Sequence, residues 1–289
     1  MPQIYEVNML MKSTEIRKAV RIFSVFCFVI ASLASTNLMA QSAEIMEKFT
    51  RGVQQYKIGD YRNSVITLNE VVQMSETEFG DKNPNTAEVI NILANAHRKL
   101  SNFDEAANLY ERALEIREFA FGRESVKVAE TLNNMAGLQT AKGSLGRAEK
   151  LYKRSLTMRE KLLGTQDPNV ALVLNNLGEL YRIQKKYEIA LPLFRRSLKI
   201  YEKQPGSNPG AIGFTLNNLA LTYHYKGNYR AAEPLYRRAL SIIERTNGPK
   251  HPIVGKTLHS LGKLYQQQGR HELAKPIFER ARKIAETTR

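Results

Sequence analysis

Apolar positions in this chain are spaced for helices, and the spacing recurs. Leu174, Leu177, Leu180 and Tyr181 form one run; after the polar break Gln184-Lys185-Lys186 a second run follows at Ile189, Leu193 and Leu198. Intervals of three and four residues place each run on one face of an α-helix. Forty-two residues later stand Leu216-Asn-Asn-Leu-Ala, Tyr223, Tyr229, Ala232 and Tyr236, and forty-two residues earlier stand Leu132-Asn-Asn-Met-Ala, Leu145, Ala148 and Tyr152. A fixed period of this length signals stacked repeats, each unable to bury its apolar face alone. The pattern predicts six copies of two helices, A and B, in an all-α chain.

The conserved register is visible position by position. A small residue falls at Gly52, Ala94, Ala136, Gly178, Ala220 and Gly262, and a second at Ser64, Ala106, Ala148, Ala190, Ala232 and Ala274. A large apolar residue follows at Leu68, Tyr110, Tyr152, Phe194, Tyr236 and Phe278. Mid-helix glycine costs about 1 kcal/mol relative to alanine, so its presence in helix A predicts close helix approach. The alanines of helix B are expected to face those sites, with the aromatic ring filling the space beyond. Gly80, Gly122, Gly164, Gly206 and Gly248 read as helix C-terminal signals. Asn83-Pro84, Asp167-Pro168 and His251-Pro252 read as helix starts. Ser125-Val126 lacks the proline, and Pro209 is displaced by one residue.

The two small residues with their flanking aromatics resemble the tetratricopeptide repeat, here 42 rather than 34 residues long. With the Leu-Asn-Asn-Leu-Ala wording, the chain is similar to the arrays of kinesin light chains and their bacterial relatives. That resemblance covers about residues 43–289. It implies a right-handed α-solenoid, or superhelix, whose A helices line the concave face. The first copy departs most from the pattern, with Lys48 and Arg51 at positions that are apolar in later copies. The charged last helix is expected to cap the array.

Residues 1–40 do not fit the repeat. Lys12, Arg17, Lys18 and Arg21 precede an apolar run at 22–34, and Leu38-Met39-Ala40 offers a cleavage site. This is the build of a signal peptide, so the expected domains are 1–40, a leader, and 41–289, one solenoid domain in the periplasm. The run is short for a bilayer span, which needs about 20 residues; an uncleaved anchor is the alternative. The single cysteine, Cys27, lies inside the run. Beyond residue 40 the chain holds 39 basic and 26 acidic residues, a charge that attracts anionic partners. Arg112, Arg154, Arg196, Arg238 and Arg280, with Glu76, Glu118, Glu160, Glu202, Glu244 and Glu286, form ladders along helix B expected to pair across repeats.

No catalytic, metal or cofactor motif emerges. There is no glycine-rich phosphate loop, Gly-x-Ser-x-Gly or His-Glu-x-x-His, and the five histidines show no ligand spacing. The residues that require a reason are asparagines in mid-helix, where the amide competes for backbone hydrogen bonds. Asn91, Asn133, Asn175 and Asn217 share one register; Asn134, Asn176 and Asn218 share the next. Such amides either meet an extended segment or bridge neighbouring helices. Bridging is expected of the second row, and both readings stand for the first. One turn on, the same face would present Asn95, Glu179 and Lys263, and a further turn Arg98, Arg182 and His224. The expected function is a non-catalytic scaffold that binds a protein or peptide, with acidic groups on the partner favoured. A basic nucleic-acid binder and an envelope or membrane-surface assembly factor are the alternatives, and an exported leader argues against nucleic acid.

Overall fold

A computed structural model of the chain describes residues 36–204 and 208–286, with side chains from residue 42. The leader to residue 35, including its apolar run and Cys27, lies outside the described residues, as does Gly206. Among the described residues there are twelve α-helices and no strand. The first three copies are α1 (Thr36–Ile58) and α2 (Tyr61–Phe79), α3 (Pro84–Lys99) and α4 (Phe103–Phe121), and α5 (Val126–Ala141) and α6 (Leu145–Leu163). The last three are α7 (Pro168–Ile183) and α8 (Tyr187–Lys203), α9 (Pro209–Tyr225) and α10 (Tyr229–Asn247), and α11 (Pro252–Gln267) and α12 (His271–Glu286). Within residues 36–162 consecutive helices from α1 to α5 pack on one another, and within residues 163–286 those from α7 to α12 do so, as in an all-α repeat solenoid. The chain divides at the end of α6 into two compact units of three copies each.

The helix starts follow the sequence chemistry. Asn83 and Asp167 side chains accept from the N–H groups of Asn85 and Asn169, at 2.8 and 2.7 Å. Both uncertain starts are capped in the same way: Ser125 accepts from the Val128 N–H, and Asn208 from the Gly210 N–H. Pro209 stands at the first helical position despite its displacement. His251 is a cap as well, its Nδ1 accepting from the Ile253 N–H at 3.2 Å. Between A and B, each copy puts one residue in the left-handed region. Glycine takes that place at 59, 143, 227 and 269, whereas Ser101 and Lys185 hold it at φ 63° and 60°.

The mid-helix glycines have a different neighbour from the one expected. Ser64 does approach Gly52, its hydroxyl donating to the Gly52 carbonyl at 2.9 Å. What excludes a methyl group is the large residue four positions on. A Cβ at Gly178 would meet the Phe194 ring at 2.9 Å, and one at Gly262 the Phe278 ring at 2.7 Å; at Gly52 it would meet Leu68 at 2.8 Å. Copies with alanine at this site, Ala94, Ala136 and Ala220, carry Tyr110, Tyr152 and Tyr236 instead. Gly178→Ala therefore should destabilise the array by about 1–3 kcal/mol through overpacking, despite alanine's better helix propensity. A thermal melt equal to or above the parent's would contradict this.

The charge ladder of helix B forms as expected within each unit. Arg112 pairs with Glu76, Arg154 with Glu118 at 3.4 Å, Arg238 with Glu202 at 2.6 Å, and Arg280 with Glu244. Pairs this exposed contribute little, about 0–1 kcal/mol each. Arg196 donates to the Thr165 carbonyl at 3.3 Å.

Candidate partner-binding faces

Within residues 36–162, the A-helix asparagines are drawn into a polar bridge. Asn134 donates to Asn91 Oδ1 at 3.3 Å, and the Asn91 amide donates to Glu130 at 3.5 Å. Asn133 is buried and donates to Asn134 at 3.4 Å. Further along α3, the buried Tyr110 hydroxyl donates to Asn95 Oδ1 at 2.7 Å. Arg98 donates from Nε to the same hydroxyl and from Nη2 to Asn95, both at 3.3 Å. Asn95 and Arg98, expected on a partner face, thus anchor the aromatic ring of their own copy.

Glu130 leads into a charge cluster that periodicity did not single out. Arg117, with its side chain 1% exposed, reaches Glu88 at 2.6 Å and Glu130 at 3.7 Å. It also donates to Thr131 at 2.8 Å and to the Lys127 carbonyl at 3.0 Å. Lys127 bonds Glu88 at 2.8 Å. Burial would push the Glu130 carboxyl up, but Arg117, Lys127 and Arg159 hold it down at about 2. The signal was present: Arg117 and Arg159 share one register on helix B, and Glu88 and Glu130 share one on helix A.

Within residues 163–286, the corresponding row differs. Asn218 donates to Asn175 Oδ1 at 3.4 Å, the bridging role expected of the second row. The Asn175 Nδ2 and the Asn217 Oδ1 have no hydrogen-bond partner. Glu179 and Arg182 are both buried and paired with each other, with Arg182 Nε donating to Glu179 at 2.7 Å. Tyr225 covers the guanidinium with its ring centroid 5.5 Å away. Arg182 is therefore neutralised inside the fold rather than presented to a partner's acidic groups. Lys263 is exposed.

His224 closes this row. It lies 2.7 Å from Gln267 Oε1 through Nε2 and 3.4 Å from the Tyr236 hydroxyl through Nδ1. A neutral ring with its proton on Nε2 satisfies both contacts, donating to one and accepting from the other. Burial lowers its pKa, and Lys263 adds to that against the opposing hydrogen bond to Gln267. Burial also lowers His97 and His259. The unfolded chain then binds more protons below the ordinary value of 6.5, so stability falls as pH drops through that value toward the folded pKa values. The melting temperature should decline from pH 7 to pH 5, and His224→Gln should flatten part of that slope. A slope unchanged by the substitution would show that His224 does not carry it.

Of the ten positions expected on the partner face, Lys263 is exposed, Asn217 is half-buried, and Asn91, Asn95, Arg98, Asn133, Asn175, Glu179, Arg182 and His224 are buried. Among the described residues no group of three or more His, Cys, Asp or Glu is placed to hold a metal ion.

The sequence matches the tetratricopeptide repeat over residues 39–118, 127–203 and 212–287, and again over 91–160. Among curated proteins none matches. Several solved structures share the fold. BtubC (BKLC) from P. vanneervenii is 21% identical, with 81% of this chain and 91% of that one covered at a TM-score of 0.62. Kinesin light chain repeats of Podosopora anserina, nearly identical TPR-like units, are also 21% identical, with 72% and 98% covered at 0.57. The apo form of RapI is 16% identical, with 84% and 99% covered at 0.59.

Proposed function

This chain belongs to the tetratricopeptide repeat family, and from that premise we propose a non-catalytic scaffold that holds a segment of another protein along its A helices. Stacked repeats present extended surfaces suited to that task. One observation carries the choice of surface. On α7 and α9, Asn175 Nδ2 and Asn217 Oδ1 retain unfilled hydrogen-bonding capacity in adjacent copies; both atoms lie just beneath the surface, so a segment engages them as the covering side chains move aside. Most buried polar atoms in folded proteins are satisfied, and an extended backbone can both accept from one amide and donate to the other. Lys263 on α11 would favour an acidic group on the same segment.

The double variant Asn175→Ala, Asn217→Ala tests this. Two neutral hydrogen bonds contribute about 1–3 kcal/mol, so proteins retained by the immobilised parent should be lost or weakened on the variant. Asn175 also bridges to Asn218, so melts must be recorded on the same preparations. A destabilised variant whose folded fraction binds at parental affinity would end the reading.

We further propose export to the periplasm. The support is the basic stretch, the apolar run and Ala40 in the first forty residues. N-terminal sequencing should begin at Gln41; an intact leader would favour an anchored protein.

A further inference from the structure

The positive charge of the repeats resides almost wholly in one unit. Residues 163–289 hold 21 Lys and Arg against 9 Asp and Glu, whereas residues 41–162 hold 18 against 17. Five of those cations lie along one edge of the C-terminal unit, made by the turns from A to B helices and the first turns of α8, α10 and α12, against three carboxylates, Glu188, Glu233 and Glu272. Lys185, Lys186, Lys226, Arg230 and Arg270 are all exposed there. The edge is continuous from copy to copy. Lys226 reaches back to Glu188 at 2.6 Å, and Arg270 reaches back to Glu233 at 2.8 Å. These pairs engage two of the three carboxylates on the edge, leaving Glu272. Among the described residues no ion pair given for the unit engages Lys185, Lys186 or Arg230.

Three further features lie on the same edge. The large apolar side chains exposed in this unit are Ile189, Tyr225 and Leu273, at 47, 57 and 41%. All three stand at A-to-B turns or in the first turn of a B helix. Second, Arg195 donates to the Tyr223 hydroxyl and Arg237 to the Tyr265 hydroxyl, each reaching the A helix of the following copy. Third, Lys185 occupies the left-handed turn position that glycine takes in four other copies. A left-handed non-glycine residue costs of order 1 kcal/mol, so a charge is kept where backbone preference opposes it.

We infer that this edge docks on an anionic lipid surface. Basic side chains at a negative leaflet, a tyrosine such as Tyr225 at headgroup depth and a few inserted aliphatic side chains are the chemistry of such an interface. An acidic polypeptide would account for the cations but gives no reason for Ile189 and Leu273. Base stacking needs open ring faces, and Arg195, Arg237 and Arg270 already lie over Tyr223 and Tyr265, at 4.6–5.9 Å.

The test is sedimentation of the full chain with vesicles of phosphatidylcholine, alone or mixed with phosphatidylglycerol. The parent should prefer the anionic vesicles, and the preference should collapse in high salt. A triple variant, Lys185→Gly, Lys186→Gln and Arg230→Gln, should weaken anionic-vesicle binding on the order of a hundredfold, about fivefold per side chain. It should leave phosphatidylcholine binding unchanged, so attraction by the N-terminal apolar segment is cancelled in the comparison. Lys185→Gly alone should raise the melting temperature while weakening vesicle binding, which no general loss of folding would produce. Anionic-vesicle binding that is identical in parent and triple variant would overturn the inference, as would binding of polyglutamate or RNA without any preference for anionic vesicles.

Discussion

Replacing Glu88 and Glu130 together by glutamine should lower the stability of the N-terminal unit by about 3–5 kcal/mol. The change keeps side-chain size and removes both carboxylates that face Arg117. The guanidinium is 1% exposed on its side chain, so it cannot recover hydration without opening the packing of α4 against α5. Its bonds to Thr131 and to the Lys127 carbonyl remain, but neither supplies charge. Arg117→Met should cost less, because the two carboxylates it leaves are 22 and 23% exposed and keep Lys127. Acid provides an independent readout. Glu130 has a folded pKa of about 2 against an ordinary 4.5, so its contribution is present above 4.5 and is lost as pH falls toward 2. The double variant should lose that acid dependence. Since each repeat touches only its neighbours, hydrogen exchange should quicken in α4 and α5 while α10 and α11 keep parental protection. A double variant that melts with the parent would mean that Arg117 is solvated by other means.

Tyr110→Ala should cost about 3–5 kcal/mol. The ring is fully buried among Ala94, Ala106 and Leu138. Tyr110→Phe separates volume from hydrogen bonding. It keeps the ring, but Asn95 loses its shortest donor and Arg98 Nε loses its acceptor. Stranding buried polar groups in this way costs about 1–3 kcal/mol. Chemical denaturation of both variants ranks the two contributions. A phenylalanine variant as damaging as the alanine one would mean that the hydroxyl network, not the ring, holds this crossing.

The Tyr110 network bears on how sites in repeat arrays are recognised. Asn95, Glu179 and Lys263 occupy equivalent places on their A helices, as do Arg98, Arg182 and His224. Equivalence along the sequence did not make them equivalent chemically. Asn95 and Arg98 hold a tyrosine hydroxyl, Glu179 and Arg182 neutralise each other beside Tyr225, and His224 meets Gln267 of the following copy. The expectation of a polar row facing a partner survives as a proposal at Asn175, Asn217 and Lys263, where capacity or exposure remains.

Sequence by itself determined the period, the two helices per copy, the caps and the places of small and large residues. These are local properties: helical spacing, proline and asparagine at a helix start, and glycine in a left-handed turn act within a few residues of one another. It also contained the pairing of glycine with Leu or Phe and of alanine with Tyr sixteen residues on, although the contact behind that pairing is legible only in three dimensions. Tertiary structure decided which polar groups are spent inside the fold. Arg117 looks like any helix-B arginine until α3 and α5 bring Glu88 and Glu130 to it, and Arg182, paired with Glu179 on its own helix, looks open until α9 lays Tyr225 over it. Helical periodicity assigns a side chain to a face, but its charge is available to a partner only if the neighbouring helix has not already compensated it.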